Sequence, residues 1–268
     1  CPKLVVAHSC VLSWWRAVKN AGAPAHYDEY RARVSAGLAA ADLVVAPSVA
    51  MRDALALQYD GHCNCIVIRN GRDPRCFVVN EKVSLVFSCG RIWDEAKNLR
   101  VVDQVAPHIP WPIAVAGDCQ HPGGSRVALQ NVRCFGKLEP HDVERQLSHA
   151  AIFVLPARYE PFGLSALEAG LSGCALVLGD IPSLRETWQD AAIFVPPDDP
   201  VALTNALNGL IENKLRREHF GQRARVRALE FSPHRMATEY IAAYRTCAGQ
   251  QSCSVAERPQ LFVEEVAA

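Results

Sequence analysis

Ala157-Arg158-Tyr159-Glu160-Pro161-Phe162-Gly163-Leu164-Ser165-Ala166-Leu167-Glu168-Ala169 is the stretch that decides the fold. The apolar run 152–156 precedes it and predicts a buried parallel strand. A loop then carries Glu160, and Gly163 and Leu164 open an apolar-periodic helix that carries Glu168. Strands alternate with helices in the same way before and after this stretch, which predicts an α/β fold with helices on both faces of a parallel sheet.

Two glutamates therefore flank the start of one predicted helix. The first amides of a helix have no intrahelical partner, so a helix start favours anions, phosphates above all. An ionised carboxylate only accepts hydrogen bonds, and the hydroxyls of a sugar or a ribose donate them. This combination indicates a ligand with a diphosphate between hydroxylated rings, which describes a nucleotide sugar.

A simpler interpretation is that Glu160 is a solvated loop residue and Glu168 a surface residue of the helix. The residues around Glu168 argue against it because Leu164–Leu171 is nearly all apolar. A carboxylate in such a helix is rarely left without a partner. We therefore expect Glu168 to have one.

The run Glu160-Pro161-Phe162-Gly163-Leu164, continuing to Glu168, resembles the paired-glutamate signature of the retaining glycosyltransferases of family 4. The shared features are two glutamates separated by seven residues, Pro-Phe-Gly after the first, and small residues around the second. The resemblance covers about residues 2–246 and is strongest over 84–200. It implies the GT-B fold, an α/β architecture of two Rossmann-like doubly wound domains.

The order of predicted elements suggests that the first of these domains is incomplete. Strands at 3–7, 42–46 and 66–68, with helices between them, make half of a doubly wound domain. We expect a partial, acceptor-side domain over 1–80 that lacks its first part, and a linker at about 76–83. A nucleotide-sugar-binding domain over 81–231, a helix over 232–246 that crosses back, and a disordered tail over 247–268 complete the prediction.

A second stretch with several charged residues, Gly90 to Asn98, follows a predicted strand. Arg91 and Lys97 are expected at the mouth of a helix, where two cations suit a diphosphate. The alternative is that Arg91 and Lys97 are solvated side chains on the protein surface. The resemblance implies that Gly90, Arg91 and Lys97 belong to the donor site and that the two cations neutralise the donor's phosphates, although the family often has Gly at the position of Asn98.

The remaining site residues follow from the resemblance. It implies that Glu160 accepts from sugar hydroxyls and positions the anomeric carbon, that Glu168 accepts from the ribose, and that amides of 162–164 (Phe162, Gly163, Leu164) hold the diphosphate. It implies that His8, at the end of the first strand, faces the donor sugar, although a hydrogen-bonded strand-end histidine fits as well. The resemblance also implies that Leu138 flanks the nucleobase. The alternative is that Leu138 only packs against other protein side chains.

Composition narrows the function classes. The chain has 268 residues and a formal net charge of zero, so its overall charge does not indicate a nucleic-acid-binding protein. The 11 cysteines are scattered and several lie in apolar runs, which predicts reduced thiols and a cytoplasmic setting. Only Cys63-Asn64-Cys65, beside His62, is a close cysteine pair, and we expect no metal site there. No run has the length of a membrane span, and peripheral membrane contact stays open.

The resemblance, together with the residue patterns above, implies a retaining, hexosyltransferase-like enzyme that moves a sugar from a nucleotide-sugar donor to an acceptor of unknown type: a glycan, a lipid or a small molecule. No cofactor or metal is required, since Arg91 and Lys97 supply positive charge. Two alternatives remain. A non-catalytic or truncated nucleotide-sugar-binding protein would bind the donor without turnover. Another GT-B enzyme, such as a nucleotide-sugar epimerase, should not need Pro-Phe-Gly between the glutamates.

Overall fold

The computed structural model describes residues 2–59 and 64–249 and contains two parallel sheets. The first has the order β1-β2-β3, with β1 at Leu4–Val6, β2 at Leu43–Ala46 and β3 at Cys65–Val67. Its helices are α1 (Val11–Lys19), α2 (Asp28–Ala39) and α3 (Val49–Gln58). All four residues of β2 are buried because helices cover both faces of this strand.

The second sheet has six parallel strands in the order β6-β5-β4-β7-β8-β9. The strands are β4 (Val83–Cys89), β5 (Ile113–Ala116), β6 (Arg133–Cys134), β7 (Ala150–Leu155), β8 (Ala175–Gly179) and β9 (Ile193–Val195). Strand order reverses between β4 and β7, where crevices outside the carboxyl ends of the strands bind ligands in open α/β sheets. The loop that carries Glu160 follows β7 and so begins at this switch point.

Helices cover both faces of the second sheet, which explains why the apolar run of β7 is continuous. Phe153 and Leu155 face the layer built from α5 (Pro140–His149), α6 (Leu164–Leu171), α7 (Pro182–Trp188) and α9 (Lys214–Ala228). Ile152 and Val154 face α4 (Leu99–Val105) and α8 (Pro200–Glu212). The predicted parallel sheet between two helical layers is confirmed.

The last described helix, α10 (Pro233–Cys247), packs against the first sheet although it follows the second in sequence. Ser232 caps its start by accepting from the Arg235 amide at 3.2 Å. The expected domain limits and the expected lack of earlier units stay predictions. Residues 250–268 of the expected tail lie outside the described residues.

Trp14, Trp15 and Arg16 lie in the short, nine-residue helix α1. Arg91 and Lys97, expected at the mouth of a helix with Leu99, Val102 and Val105, lie in the turns of 91–98, directly before α4 begins at Leu99. Asn98 precedes α4 with a φ of 56°, a conformation that Asn tolerates better than most residues and that Gly adopts freely.

Two searches of the described residues bear on membrane and metal binding. None of the helices in 2–59 and 64–249 combines the length and the apolar character needed to cross a membrane. The same residues contain no group of three or more His, Cys, Asp or Glu side chains that could hold a metal ion. His62 and Cys63 lie outside the described residues.

Candidate functional site

A pocket of about 660 Å³ opens at the carboxyl ends of β4, β5 and β6, beside the switch point. Gly90 and Arg91 from the end of β4 line it, and so does Leu138 from the loop after β6. Other lining residues include Cys89, Trp93, Gly117, Asp118, His121, Lys137 and Val143. Three of the predicted donor-site residues therefore share one pocket.

Lys97 and Glu160 come together at the switch point. The stem of Lys97 passes over Gly90, and its ammonium forms an ion pair with Glu160 Oε2. The two side chains are only 15% and 11% exposed. Glu160 Oε1 accepts from the Gly163 amide at 3.0 Å, so the carboxylate also satisfies one of the free amides at the start of α6.

The Pro-Phe-Gly segment shapes the loop between Glu160 and α6. Gly163 has a φ of 92° and a ψ of 59°, a left-handed conformation that strains residues with a Cβ. Phe162 is 2% exposed, and its ring packs edge-on against Phe231, with ring centroids 5.7 Å apart. The ring therefore anchors the loop. Leu164, the first residue of α6, is exposed.

Glu168 has the protein partner that its apolar helix required. Arg72 Nε donates to Glu168 Oε1 at 2.8 Å, and Arg72 Nη2 donates to the same oxygen. Burial raises the pKa of the Glu168 carboxyl, and Arg72 opposes that increase. The sequence analysis missed Arg72, since no local pattern connects two residues that are 96 positions apart.

Arg91 lies at the rim of the pocket and is 60% exposed. Its guanidinium donates to Asp94 Oδ2 at 2.7 Å and lies 5.2 Å from the Trp93 ring centre. Asp94 is only 4% exposed and also accepts from Trp14 Nε1 at 3.1 Å. Asp94, a second residue that the sequence analysis missed, thus orients Arg91 and joins α1 to the second sheet.

Cys89, the last residue of β4, is a buried thiol that lines the pocket. Burial raises the pKa of Cys89, the charge of Glu168 raises it further, and the charge of Lys97 lowers it.

His8 comes from the first sheet, two residues before Cys10, whose amide donates to the Tyr159 hydroxyl. It lies on the exposed segment after β1, and in the described part of the chain it forms no hydrogen bond or ion pair. The structure brings together Gly90, Lys97, Glu160 and Gly163, and places Arg91 and Leu138 in the adjoining pocket. The donor-sugar role of His8 stays a prediction.

Contacts from the first sheet hold the Glu160 loop in place. The Ser48 hydroxyl donates to the Pro161 carbonyl oxygen at 2.6 Å. The Cys10 amide donates to the Tyr159 hydroxyl at 2.9 Å, and burial raises the pKa of Tyr159 to about 12. Glu186 accepts from the first amides of α3 at 2.9 and 2.8 Å. The loop is therefore positioned by both sheets.

Comparison with known proteins gives the family. The family described as "Glycosyl transferases group 1" matches residues 77–227. The chain is 31% identical over 114 residues to O-antigen chain mannosyltransferase B of Escherichia coli, covering 42% of this chain and 30% of that protein. It is 31% identical over 117 residues to alpha-maltose-1-phosphate synthase of Mycolicibacterium smegmatis, covering 40% and 30%. The alignments thus span about a third of these relatives' length.

Solved structures share the fold. Sucrose-phosphate synthase from Thermosynechococcus elongatus superposes with a TM-score of 0.79 at 21% identity, covering 92% of this chain and 68% of that one. Anabaena HepE in complex with UDP-glucose superposes with a TM-score of 0.75 at 18% identity, covering 91% and 72%. These are GT-B proteins, and the family match covers more than half of the 268 residues. The chain belongs to the glycosyl transferases group 1 family and has the GT-B fold.

Proposed function

We propose that this chain carries the donor-binding site of a retaining, family 4 glycosyltransferase, which transfers a sugar from a nucleotide-diphosphate sugar to an acceptor. The observation that carries the proposal is the convergence of Lys97, Glu160 and the start of α6 beside the pocket at the switch point. The HepE structure in complex with UDP-glucose supports a donor of this class. The acceptor stays unspecified.

Donor binding would use both the pocket and the ion pairs. The pocket is large enough for a nucleoside, with Leu138 against the base. Arg91 and Lys97 would hold the diphosphate together with the free amides at the start of α6. Glu168 would accept from the ribose hydroxyls and Glu160 from those of the sugar.

The chemical step breaks the bond between the anomeric carbon and the diphosphate oxygen. Negative charge then develops on the leaving diphosphate, where Arg91, Lys97 and the α6 amides would stabilise it without reorganising. The acceptor oxygen forms the new bond on the same face, and its proton passes to the departing phosphate. His8 would stabilise the sugar from the side of the first sheet. Arg91 and Lys97 would supply this positive charge without a metal.

A second mechanism would also retain the anomeric configuration of the sugar. In it, Glu160 attacks the anomeric carbon and forms a covalent intermediate. Both oxygens of Glu160 already accept a hydrogen bond, one from Lys97 and one from the Gly163 amide. Both contacts stabilise the carboxylate and so weaken it as a nucleophile. They favour front-face attack, with Glu160 as a positioning residue.

The cysteines support a reducing, cytoplasmic setting for the protein. Cys10, Cys89 and Cys174 are buried thiols, as expected in a reducing, cytoplasmic compartment. If the acceptor is a lipid, the protein would also contact a membrane surface peripherally. A non-catalytic donor-binding protein remains the second candidate, since donor binding without turnover would use the same pocket and ion pair.

Isothermal titration calorimetry with UDP, GDP and ADP tests the proposal. We expect one of them to bind, and Glu168→Gln to weaken that binding at least tenfold. Glu218→Gln, on the exposed face of α9, is the matched control and should bind like the wild type. A folded protein that binds none of the three would contradict the proposal. Release of free sugar from the matching nucleotide sugar would then separate an enzyme from a binding protein.

A further inference from the structure

We propose that Arg72 is a positioning residue for donor binding: it holds the Glu168 carboxylate so that Oε2 faces the ribose hydroxyls. This inference rests on the proposed function and adds a residue to it. Arg72 lies in the segment after β3, whereas Glu168 lies on α6 beneath the second sheet. The proposal therefore makes ribose recognition depend on the segment that joins the two sheets.

The hydrogen-bond pattern carries the proposal. Arginine commonly binds a carboxylate through two parallel bonds, one to each oxygen. Here Nε and Nη2 of Arg72 both donate to Oε1 of Glu168. Within residues 2–59 and 64–249, Oε2 accepts no hydrogen bond, and it is not a fully buried atom. One oxygen is thus fixed by the protein, and the other is left for two donors such as a vicinal diol.

Arg72 is itself fixed by its backbone. Its amide donates to the Phe231 carbonyl oxygen at 3.1 Å. At the preceding Gly71, a Cβ would lie 2.4 Å from the Ser232 carbonyl oxygen, so the chain passes against the start of α10 with no space for a side chain. The guanidinium lies 6.0 Å from the Phe77 ring centre. A guanidinium anchored in this way can orient a carboxylate.

Glu168 needs such a partner to act as an acceptor. Its side chain is 14% exposed, and burial raises its pKa. The negative charge of Glu144 acts in the same direction, and Arg72 opposes both. Without Arg72 the carboxyl would be more readily protonated, and its protonated oxygen would donate rather than accept. Arg72 therefore sets both the direction and the charge of Glu168.

The test compares the nucleoside diphosphate that binds best with its 2′-deoxy and 3′-deoxy analogues, by calorimetry on the full chain. The variants are Arg72→Gln, Arg72→Lys, Glu168→Gln and the double variant Arg72→Gln/Glu168→Gln. Arg75→Gln is the control, because Arg75 is 89% exposed and pairs with Asp73 on the same segment. Thermal melting of each variant reports folding.

We expect the wild type and Arg75→Gln to prefer the ribose form over at least one analogue by about tenfold. Arg72→Gln should reduce this preference to less than about threefold, and the double variant should reduce it no further than Glu168→Gln alone. Arg72→Lys, a charge without the fork, should recover part of it. If Arg72→Gln does not fold, Arg72→Lys alone still tests the inference.

Two results would overturn the inference alone. In one, Arg72→Gln and Arg72→Lys keep the full preference for the ribose form. In the other, they weaken all three ligands equally, as a general structural disturbance would. A wild type that binds no nucleoside diphosphate, or a Glu168→Gln variant with unchanged preference, would instead overturn the proposed ribose site and the inference with it.

Discussion

Replacing Lys97 by Met separates the two tasks of its ammonium group. Methionine keeps an apolar stem over Gly90, where the Lys97 Cγ lies 3.5 Å from the position of an added Cβ. The substitution removes the partner of Glu160 and leaves that carboxylate with the Gly163 amide alone. It also removes one of the two cations proposed to hold the diphosphate.

The expected loss of stability follows from burial. Removing one partner of a fully buried ion pair costs about 3–5 kcal/mol. Lys97 and Glu160 retain 15% and 11% exposure, so water still reaches the remaining carboxylate. We therefore expect Lys97→Met to lower the free energy of unfolding by ~1–3 kcal/mol in urea titrations. Lys214→Met, at a side chain that is 76% exposed, is the control and should change it by less than ~0.5 kcal/mol.

The expected loss of binding is separate. A hydrogen bond to a charged group contributes about 1.5–3 kcal/mol. In the free protein the ammonium already binds Glu160, so part of this gain is offset and the lower limit applies. Calorimetry should therefore show the preferred nucleoside diphosphate binding to Lys97→Met about tenfold more weakly.

The double variant Lys97→Met/Glu160→Gln decides between the two tasks. Removing both charges leaves no unpaired buried ion, so stability should return to within ~1 kcal/mol of the wild type. Affinity for the diphosphate should not return, because the cation is still missing. Recovery of both properties, or unchanged affinity in Lys97→Met, would refute a diphosphate-binding role for Lys97.

Three further predictions concern stability. Because the Glu168 pKa is raised in the folded state, the contribution of this carboxyl to stability is greatest while it is protonated and falls as the pH rises from its ordinary value of 4.5 through the folded value. Glu168→Gln should lack this part of the pH dependence in urea titrations between pH 4 and 7, and an identical pH dependence would contradict the prediction. Gly71→Ala should lower the free energy of unfolding by ~1–3 kcal/mol, since its Cβ would meet Ser232, whereas an unchanged urea midpoint would show that the segment can move. Glu186→Ala should cost ~0.5–2 kcal/mol, because two amides at the start of α3 lose their acceptor, with Glu218→Ala as the neutral control.

Much of the second sheet could be predicted from the sequence, because its signals are local. The run 152–156 is apolar throughout since helices cover both faces of β7. Gly163 and the apolar period after it mark the start of α6. The apolar residues around Glu168 also predicted that its carboxylate has a partner, but they did not indicate that the partner is Arg72.

The parts that could not be predicted depend on contacts between distant residues. The Asp94 carboxylate accepts from Trp14 of α1 and from the Ala96 amide, and so links α1 to the turns that precede α4. Ser48 reads as an ordinary helix cap, and only the assembled fold brings its hydroxyl to Pro161. No spacing rule in one sequence relates such pairs.

A crystal structure of this chain with the nucleoside diphosphate that binds best would test the donor site most directly. We predict the diphosphate within hydrogen-bond distance of Arg91 and Lys97 at the start of α6, the base against Leu138, and the ribose hydroxyls on Glu168 Oε2. A nucleotide bound elsewhere on the chain, or one with its diphosphate turned away from Lys97 and α6, would contradict the proposed site.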